Sequence, residues 1–284
     1  MTIELKNITK AYGEGNVLSD VSFKIDSREF FVLVGPSGGG KTTLLKMVNR
    51  LIEPTSGEIL IDGEDITKMN LRDLRLQIGY VLQQIALFPN LTVAENIGLV
   101  PQLKKWSKAK IEARVKELLP MVGLDAEKYT NRYPSELSGG EAQRIGILRA
   151  VAAEPKIILM DEPFSALDPI SRKALQEMVK NLQHTLNITT VFVTHDMAEA
   201  MTLADYIAVI GDGTLQQLGT PNEILRQPAN DFVAGFFKNY QQNLSDYTLG
   251  DLSAVSQTLS ADTPLAEAVN LLSAEAKWDE GSGK

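Results

Sequence analysis

The stretch Gly35-Pro36-Ser37-Gly38-Gly39-Gly40-Lys41-Thr42 constrains the rest of this chain more than any other. A glycine, four further residues and then Gly-Lys-Thr is the spacing of a phosphate-holding loop. Its flanks agree with that pattern. Phe30-Phe31-Val32-Leu33-Val34 predicts a fully buried strand, and Thr42-Thr43-Leu44-Leu45-Lys46-Met47-Val48 opens a helix. Glycines let the backbone curl with its N–H groups turned inward, where they and the helix N-terminus hold phosphate oxygens. In such a loop Lys41 reaches the terminal phosphates, and the Thr42 hydroxyl is placed to ligate magnesium. The plainer alternative is a glycine-rich turn before an ordinary helix, which leaves the strand and the full motif as coincidences.

A chain of 284 residues is long enough for a sizeable core and about two domains. The net charge of -8 argues against a nucleic-acid partner, which would need a basic footprint. Cysteine is absent, so disulfides and cysteine–zinc sites are excluded. Met1-Thr2-Ile3-Glu4-Leu5 begins directly as a structured segment, with no leader pattern. No apolar run approaches the roughly 18 to 20 residues needed to cross a bilayer. Any membrane role is therefore expected to come through a partner.

Residues 3–25 alternate enough to predict short strands around the turn Tyr12-Gly13-Glu14-Gly15. Tyr12 can pack, face solvent or stack on a purine, and the residues alone leave that open. Glu58 to Gly63 reads as a strand. Ile78-Gly79-Tyr80-Val81-Leu82 is another, ending at Gln83, which is either a surface residue or a contact to magnesium or an attacking water. Helical spacing runs from Thr92 to Gly123, and the lysine-rich residues 104–110 read as a solvated loop before the next helix. Ser138, with Glu141 three residues on, predicts an N-cap; the glycines there make that helix start a candidate anion site.

Ile157-Ile158-Leu159-Met160-Asp161-Glu162 reads as a buried strand ending in two carboxylates, which alternation would send to opposite sides. Asp161 suits magnesium and Glu162 the polarising of a water, the alternative for Asp161 being a helix cap. A helix is expected from about residue 170 to 186 and a strand over 188–194. His195 then stands at a strand's carboxyl end, where open α/β sheets bind ligands. Residues 206–218 predict a hairpin about Gly211-Asp212-Gly213, and Thr220-Pro221 the start of a short helix. An apolar helix is expected over 231–237. Beyond it the tail is polar, apart from an amphipathic stretch at 265–272.

Taken in order, these landmarks resemble the ATP-hydrolysing subunits of ABC transporters over residues 1–237. Residues 35–42 are similar to the family's Walker A motif, and residues 157–162 to its Walker B motif with the catalytic glutamate at Glu162. Leu137-Ser138-Gly139-Gly140-Glu141 resembles the ABC signature. Tyr12 falls where the family stacks an aromatic on adenine; Gln83 matches its Q-loop, Ser165 to Asp168 its D-loop and His195 its switch histidine. The resemblance implies an α/β fold, a P-loop NTPase core of ABC ATPase type with an antiparallel β subdomain and a helical subdomain at about 88–153. The nucleotide-binding domain would span 1–238 and a short C-terminal extension 239–284. ATP and Mg2+ are the implied ligands. Tyr12, Gly35, Ser37, Gly38, Gly39, Gly40, Lys41, Thr42 and Thr43 would meet the nucleotide, with Ser138, Gly139 and Gly140 supplied by a second copy in a head-to-tail dimer. Thr42, Gln83 and Asp161 would serve the metal, and Glu162, His195, Gln83 and Lys41 the catalysis.

Within the family, residues 96–106 and 161–172 look like importers of glycine betaine, choline, carnitine or related quaternary amines. Residues 83–96 resemble the surface where a permease coupling helix docks. The implied partners are a second copy, integral membrane permease subunits and, indirectly, a solute-binding protein or domain, with no nucleic acid. The implied location is peripheral, on the cytoplasmic face of the cell membrane. Residues 252–272 resemble the start of a CBS domain, expected to be incomplete. Glu141-Ala142-Gln143 stands where the family commonly has three glutamines, while Ser138, Gly139 and Gly140 remain. The alternatives are a non-transport ABC-type ATPase, which usually carries two cassettes or a long insertion, an importer of an unrelated small solute, and a binding module without hydrolysis, which would not need Glu162 and His195.

Overall fold

The computed structural model describes residues 1–13, 15–165 and 167–245, the last seven as backbone helix only. The expected helix at 265–272 and the CBS-like segment lie outside these residues. Two antiparallel strands begin the chain, β1 (Ile3–Tyr12) and β2 (Gly15–Ile25). They are longer than the short strands that alternation predicts, because register shifts after Leu5, Ile8 and Lys10 carry the pairing through breaks in the pattern. After β3 (Phe30–Val34), the strands β4 (Ser56–Ile61) and β5 (Glu64–Asp65) complete an antiparallel sheet of order β2-β1-β4-β5. This is the antiparallel subdomain the resemblance implies.

The remaining strands are β6 (Ile78–Val81), β7 (Ile157–Asp161), β8 (Thr189–Thr194), β9 (Tyr206–Gly211) and β10 (Thr214–Gly219). With β3 they form a second sheet of order β10-β9-β3-β8-β7-β6, in which only the edge strand β10 runs antiparallel to its neighbour. The β9–β10 hairpin turns at Asp212 (φ 48°) and Gly213 (φ 72°), the double positive φ that a two-residue loop requires. Strand β3 is buried along its whole length, as an interior parallel strand must be. Its pleat divides the core in two: Phe31 and Leu33 face a cluster with the antiparallel sheet, while Phe30, Val32 and Val34 face a cluster reaching the helices.

Ten α-helices and a 3-10 turn (Pro134–Glu136) complete the described residues: α1 (Lys41–Val48), α2 (Leu71–Leu76), α3 (Val93–Leu103), α4 (Lys108–Met121), α5 (Ala126–Tyr129), α6 (Gly139–Val151), α7 (Pro169–Leu186), α8 (Met197–Leu203), α9 (Pro221–Arg226) and α10 (Asp231–Ser245). Thr92, Ser138 and Thr220 each close a capping box with the glutamate three residues on, as the Ser138-Glu141 pattern suggests for one of them, and Thr220-Pro221 starts a helix as expected. α10 continues to Ser245, past the boundary expected at 238, because no glycine or proline interrupts residues 236–245. α3, α4 and α6 pack through Ile97, Val115, Leu118, Leu119, Ile145 and Leu148, all fully or almost fully buried.

One polar residue shapes the entry to this helical part. Asn96 is fully buried, and its amide donates to the carbonyls of Phe88, Leu91 and Thr92 at 3.0–3.1 Å. Its oxygen accepts the Phe88 N–H at 2.8 Å. Asn96→Leu takes this partner from the Phe88 N–H and the Leu91 carbonyl, while the Phe88 and Thr92 carbonyls keep the Leu91 and residue-96 N–H groups, and each stranded group costs about 1–3 kcal/mol. The variant is expected to lose about 3 kcal/mol of stability by urea unfolding. A midpoint equal to the parent's would show that water replaces the amide without cost.

Candidate nucleotide site

The strand order sets the site. β3, β8 and β7 are adjacent and parallel, so the loop after β3, His195 after β8, and the carboxylates at the end of β7 all emerge on one edge. β6 is the next neighbour, and Gln83 lies just past its end.

The glycine loop is shaped by close approach. At Gly35 a Cβ would sit 2.0 Å from the Ile210 carbonyl oxygen, so only glycine fits there. Gly40 caps α1 at φ 91° with no side-chain bond to the helix, leaving first-turn N–H groups for a ligand. A cavity of about 180 Å³ follows, lined by Val17, the residues from Ser37 to Thr43, and Glu162. Lys41 is only 4 % exposed, and its ammonium donates to the carbonyls of Gly35 and Pro36, both at 2.8 Å. Burial pulls this ammonium below the usual lysine range, against the opposing pull of Glu162 and Asp161.

The Thr42 hydroxyl donates to Asp161 Oδ1 at 2.7 Å. Asp161 is buried, and that burial raises its carboxyl above the usual range; the Thr42 hydrogen bond, Lys46 and Lys41 draw it back. Glu162 departs from the expected reading. The strand ends at Asp161, and Glu162 takes φ 44° instead of continuing the pleat. A left-handed turn therefore separates the two carboxylates, where alternation along an extended strand had been expected to do so. Its N–H still donates to the Val193 carbonyl at 3.0 Å, which anchors the turn to β8. Glu162 Oε2 lies 3.1 Å from His195 Nδ1.

Ser138, Gly139 and Gly140 sit at the start of α6 and line neither this cavity nor the smaller one beside His195. Ser138 and Gly139 are exposed there. The Ser138 oxygen accepts the Glu141 N–H at 3.3 Å, and the Ser138 N–H and side chain both hydrogen-bond the Glu141 carboxylate. Tyr12, 53 % exposed at the end of β1, carries the Lys10 ammonium 4.8 Å above its ring. Gln83 is exposed and outside both cavities. Residues 35–43, Asp161, Glu162 and His195 are thus gathered in one place, while Tyr12, Gln83 and the Ser138 turn stand apart from it.

The sequence reading names Gln143 in the signature stretch but assigns it no role. Gln143, 3 % exposed, donates to the Pro163 carbonyl at 2.7 Å and so fastens α6 to the loop just after Glu162. Its signal was available, since it lies among the apolar positions Ala142, Ile145 and Ile147 of α6.

Comparison with known proteins decides the family. The sequence pattern of the ABC transporter family matches residues 18–165, just over half of the chain. This chain belongs to the ABC transporter family. It is 50 % identical over 281 residues to the choline transport ATP-binding protein OpuBA of Bacillus subtilis, covering 96 % of this chain and 73 % of that one. It is 46 % identical over 280 residues to the osmoprotectant import ATP-binding protein OsmV of Salmonella typhimurium, covering 95 % and 73 %. Among solved structures, the dimeric post-hydrolysis ATP-binding cassette MJ0796 bound to ADP and Pi superposes with a TM-score of 0.69 at 35 % identity, covering 77 % of this chain and 98 % of the cassette. The antiparallel sheet, the parallel sheet and the helical part are those of this ABC ATPase fold.

Proposed function

We propose that this ABC family member is the ATP-hydrolysing subunit of an importer of quaternary amines, working as a head-to-tail pair beneath a membrane permease. The observation that carries the chemistry is the Thr42–Asp161 contact at 2.7 Å, set between the glycine loop and the Glu162–His195 pair. Choline and osmoprotectant transport proteins of close sequence support the solute class. Among the described residues no helix is long and apolar enough to cross a membrane, and the permease is proposed to hold the chain at the membrane surface. The proposed domain limits remain 1–238 and 239–284.

Phosphate binding falls to the loop N–H groups, the α1 N-terminus and Lys41, whose contacts to Gly35 and Pro36 yield to the phosphates. Two hard oxygen donors, Thr42 Oγ1 and an Asp161 carboxylate, fit magnesium, which prefers a few protein oxygens and completes its shell from phosphate and water. Such an ion would offset charge on the phosphates; Gln83 is proposed to join it when the site closes. Glu162 takes a proton from the attacking water, and the 3.1 Å contact with His195 keeps the carboxylate turned toward it. Tyr12 stacks on the adenine. Ser138, Gly139 and Gly140 of a second copy cover the phosphates from the other side, where the Ser138 hydroxyl turns from Glu141 to donate.

A site divided between copies makes turnover depend on pairing. Specific activity of the purified chain is expected to rise with protein concentration, and a constant value from dilute monomer upward would remove the head-to-tail reading. The solute class is tested by reconstituting the chain with its permease and solute-binding protein in vesicles. Choline, glycine betaine or carnitine should stimulate ATP hydrolysis severalfold; stimulation by sulfate alone would point to a different importer class.

A further inference from the structure

Behind the Glu162–His195 contact lies a polar layer that the reaction proposed above leaves unused. Arg172, on the first turn of α7, donates through Nη1 to Asp196 Oδ2 and through Nη2 to the Leu167 carbonyl, both at 3.2 Å. Its Nε, 3.8 Å from Glu199 Oε1, is buried and makes no hydrogen bond. Glu199 is 4 % exposed and accepts the Thr194 hydroxyl at 2.6 Å. The Thr194 oxygen accepts the Asp196 N–H at 3.0 Å, while Asp196 Oδ1 caps α8 through Ala198 and Glu199.

Thr194 and Asp196 are the two neighbours of His195 in the chain. The histidine is therefore held from both sides by one network, and Arg172 joins that network to the backbone at Leu167. Two residues earlier the chain is tied to Glu162, whose carbonyl accepts the Ser165 hydroxyl at 3.0 Å and the Ser165 N–H at 3.3 Å. A cavity of about 40 Å³, bounded by Glu162, Ser165, Arg172, Thr194, His195 and Glu199, lies in the middle and has room for a water. Without Arg172 the buried Glu199 carboxylate loses its nearest cation, and Leu167 loses its bond to the His195 turn.

We propose that Arg172 is a positioning residue for hydrolysis. It ties the loop that follows Glu162 to the turn that carries His195, so that the Glu162–His195 contact keeps its geometry. This rests on the reading in which Glu162 activates the water. The planar, two-pronged guanidinium matters, because a lysine ammonium can replace its charge but not both directed bonds.

The test is steady-state ATP hydrolysis by the full chain, with kcat and KM separated, for the parent, Arg172→Ala, Arg172→Lys and Glu162→Gln. Misplacing a reacting group by about 1 Å can cost about a hundredfold, so Arg172→Ala is expected to lower kcat by about 10- to 100-fold with KM within about twofold of the parent. Arg172→Lys should recover part of the loss. A kcat for Arg172→Ala within twofold of the parent, a loss carried by KM, or a lysine variant no better than alanine would each overturn the proposal. If circular dichroism shows Arg172→Ala unfolded, Arg172→Gln replaces it, and a kcat equal to or above that of Arg172→Lys overturns the proposal. The Glu162→Gln arm separates the two readings. Parent-like turnover there removes Glu162 as the base, whereas an inactive Glu162→Gln beside an unimpaired Arg172→Ala removes Arg172 alone.

Discussion

Glu162→Gln is expected to lower ATP turnover by at least about a hundredfold while ATP binding persists, since a positioned general base contributes about 10²–10⁴-fold. The change is nearly isosteric and leaves untouched the loop, Lys41 and the Thr42–Asp161 contact that would hold the phosphates. What it removes is the group able to take a proton beside His195. The ATP-bound pair should therefore accumulate, visible as a dimer by light scattering with ATP and magnesium and as a monomer without them. A variant that hydrolyses ATP at the parent rate would sink the assignment of Glu162.

Lys41→Ala should act at the earlier step. Its buried ammonium is held by two loop carbonyls at 2.8 Å, close to where phosphates would meet the loop N–H groups. The variant deletes the loop's positive charge and strands the Gly35 carbonyl, while the Pro36 carbonyl keeps the Gly39 N–H at 3.2 Å. A hydrogen bond to a charged group contributes about 1.5–3 kcal/mol, equivalent to a loss of ATP affinity of about 10- to 100-fold. Calorimetric titration with ATP reads this directly. An affinity within threefold of the parent would mean that the backbone N–H groups hold the phosphates alone.

Much of this architecture was legible because the signals were local. A glycine loop between a β-branched or aromatic strand and a helix has few other uses, and the Ser138–Glu141 pair marks a helix start by its own hydrogen bonds. The family resemblance supplied what locality does not, the proposed division of the site between copies. Other features resisted for definable reasons. Pleat alternation assumes an extended backbone, and at Glu162 the backbone leaves that region. The length of β1 and β2 depends on bulges, which loosen the two-residue period that reading relies on. Arg172 and Glu199 are far enough apart in the chain that only the packing of α7 against α8 brings them together. Nothing in the local pattern sets Asn96 apart, because the loop that wraps its amide is brought there only by the fold.

The left-handed backbone at Glu162 has a consequence for anyone wishing to toughen this protein. At φ 44° a long side chain bears a conformational cost of about 1 kcal/mol that asparagine bears more easily. The fold and the reaction thus favour different residues at one position. A selection scored by melting temperature would drift toward asparagine there and return a well-folded chain that binds nucleotide and idles. Turnover has to be scored alongside heat tolerance, or improvement of the one will erase the other.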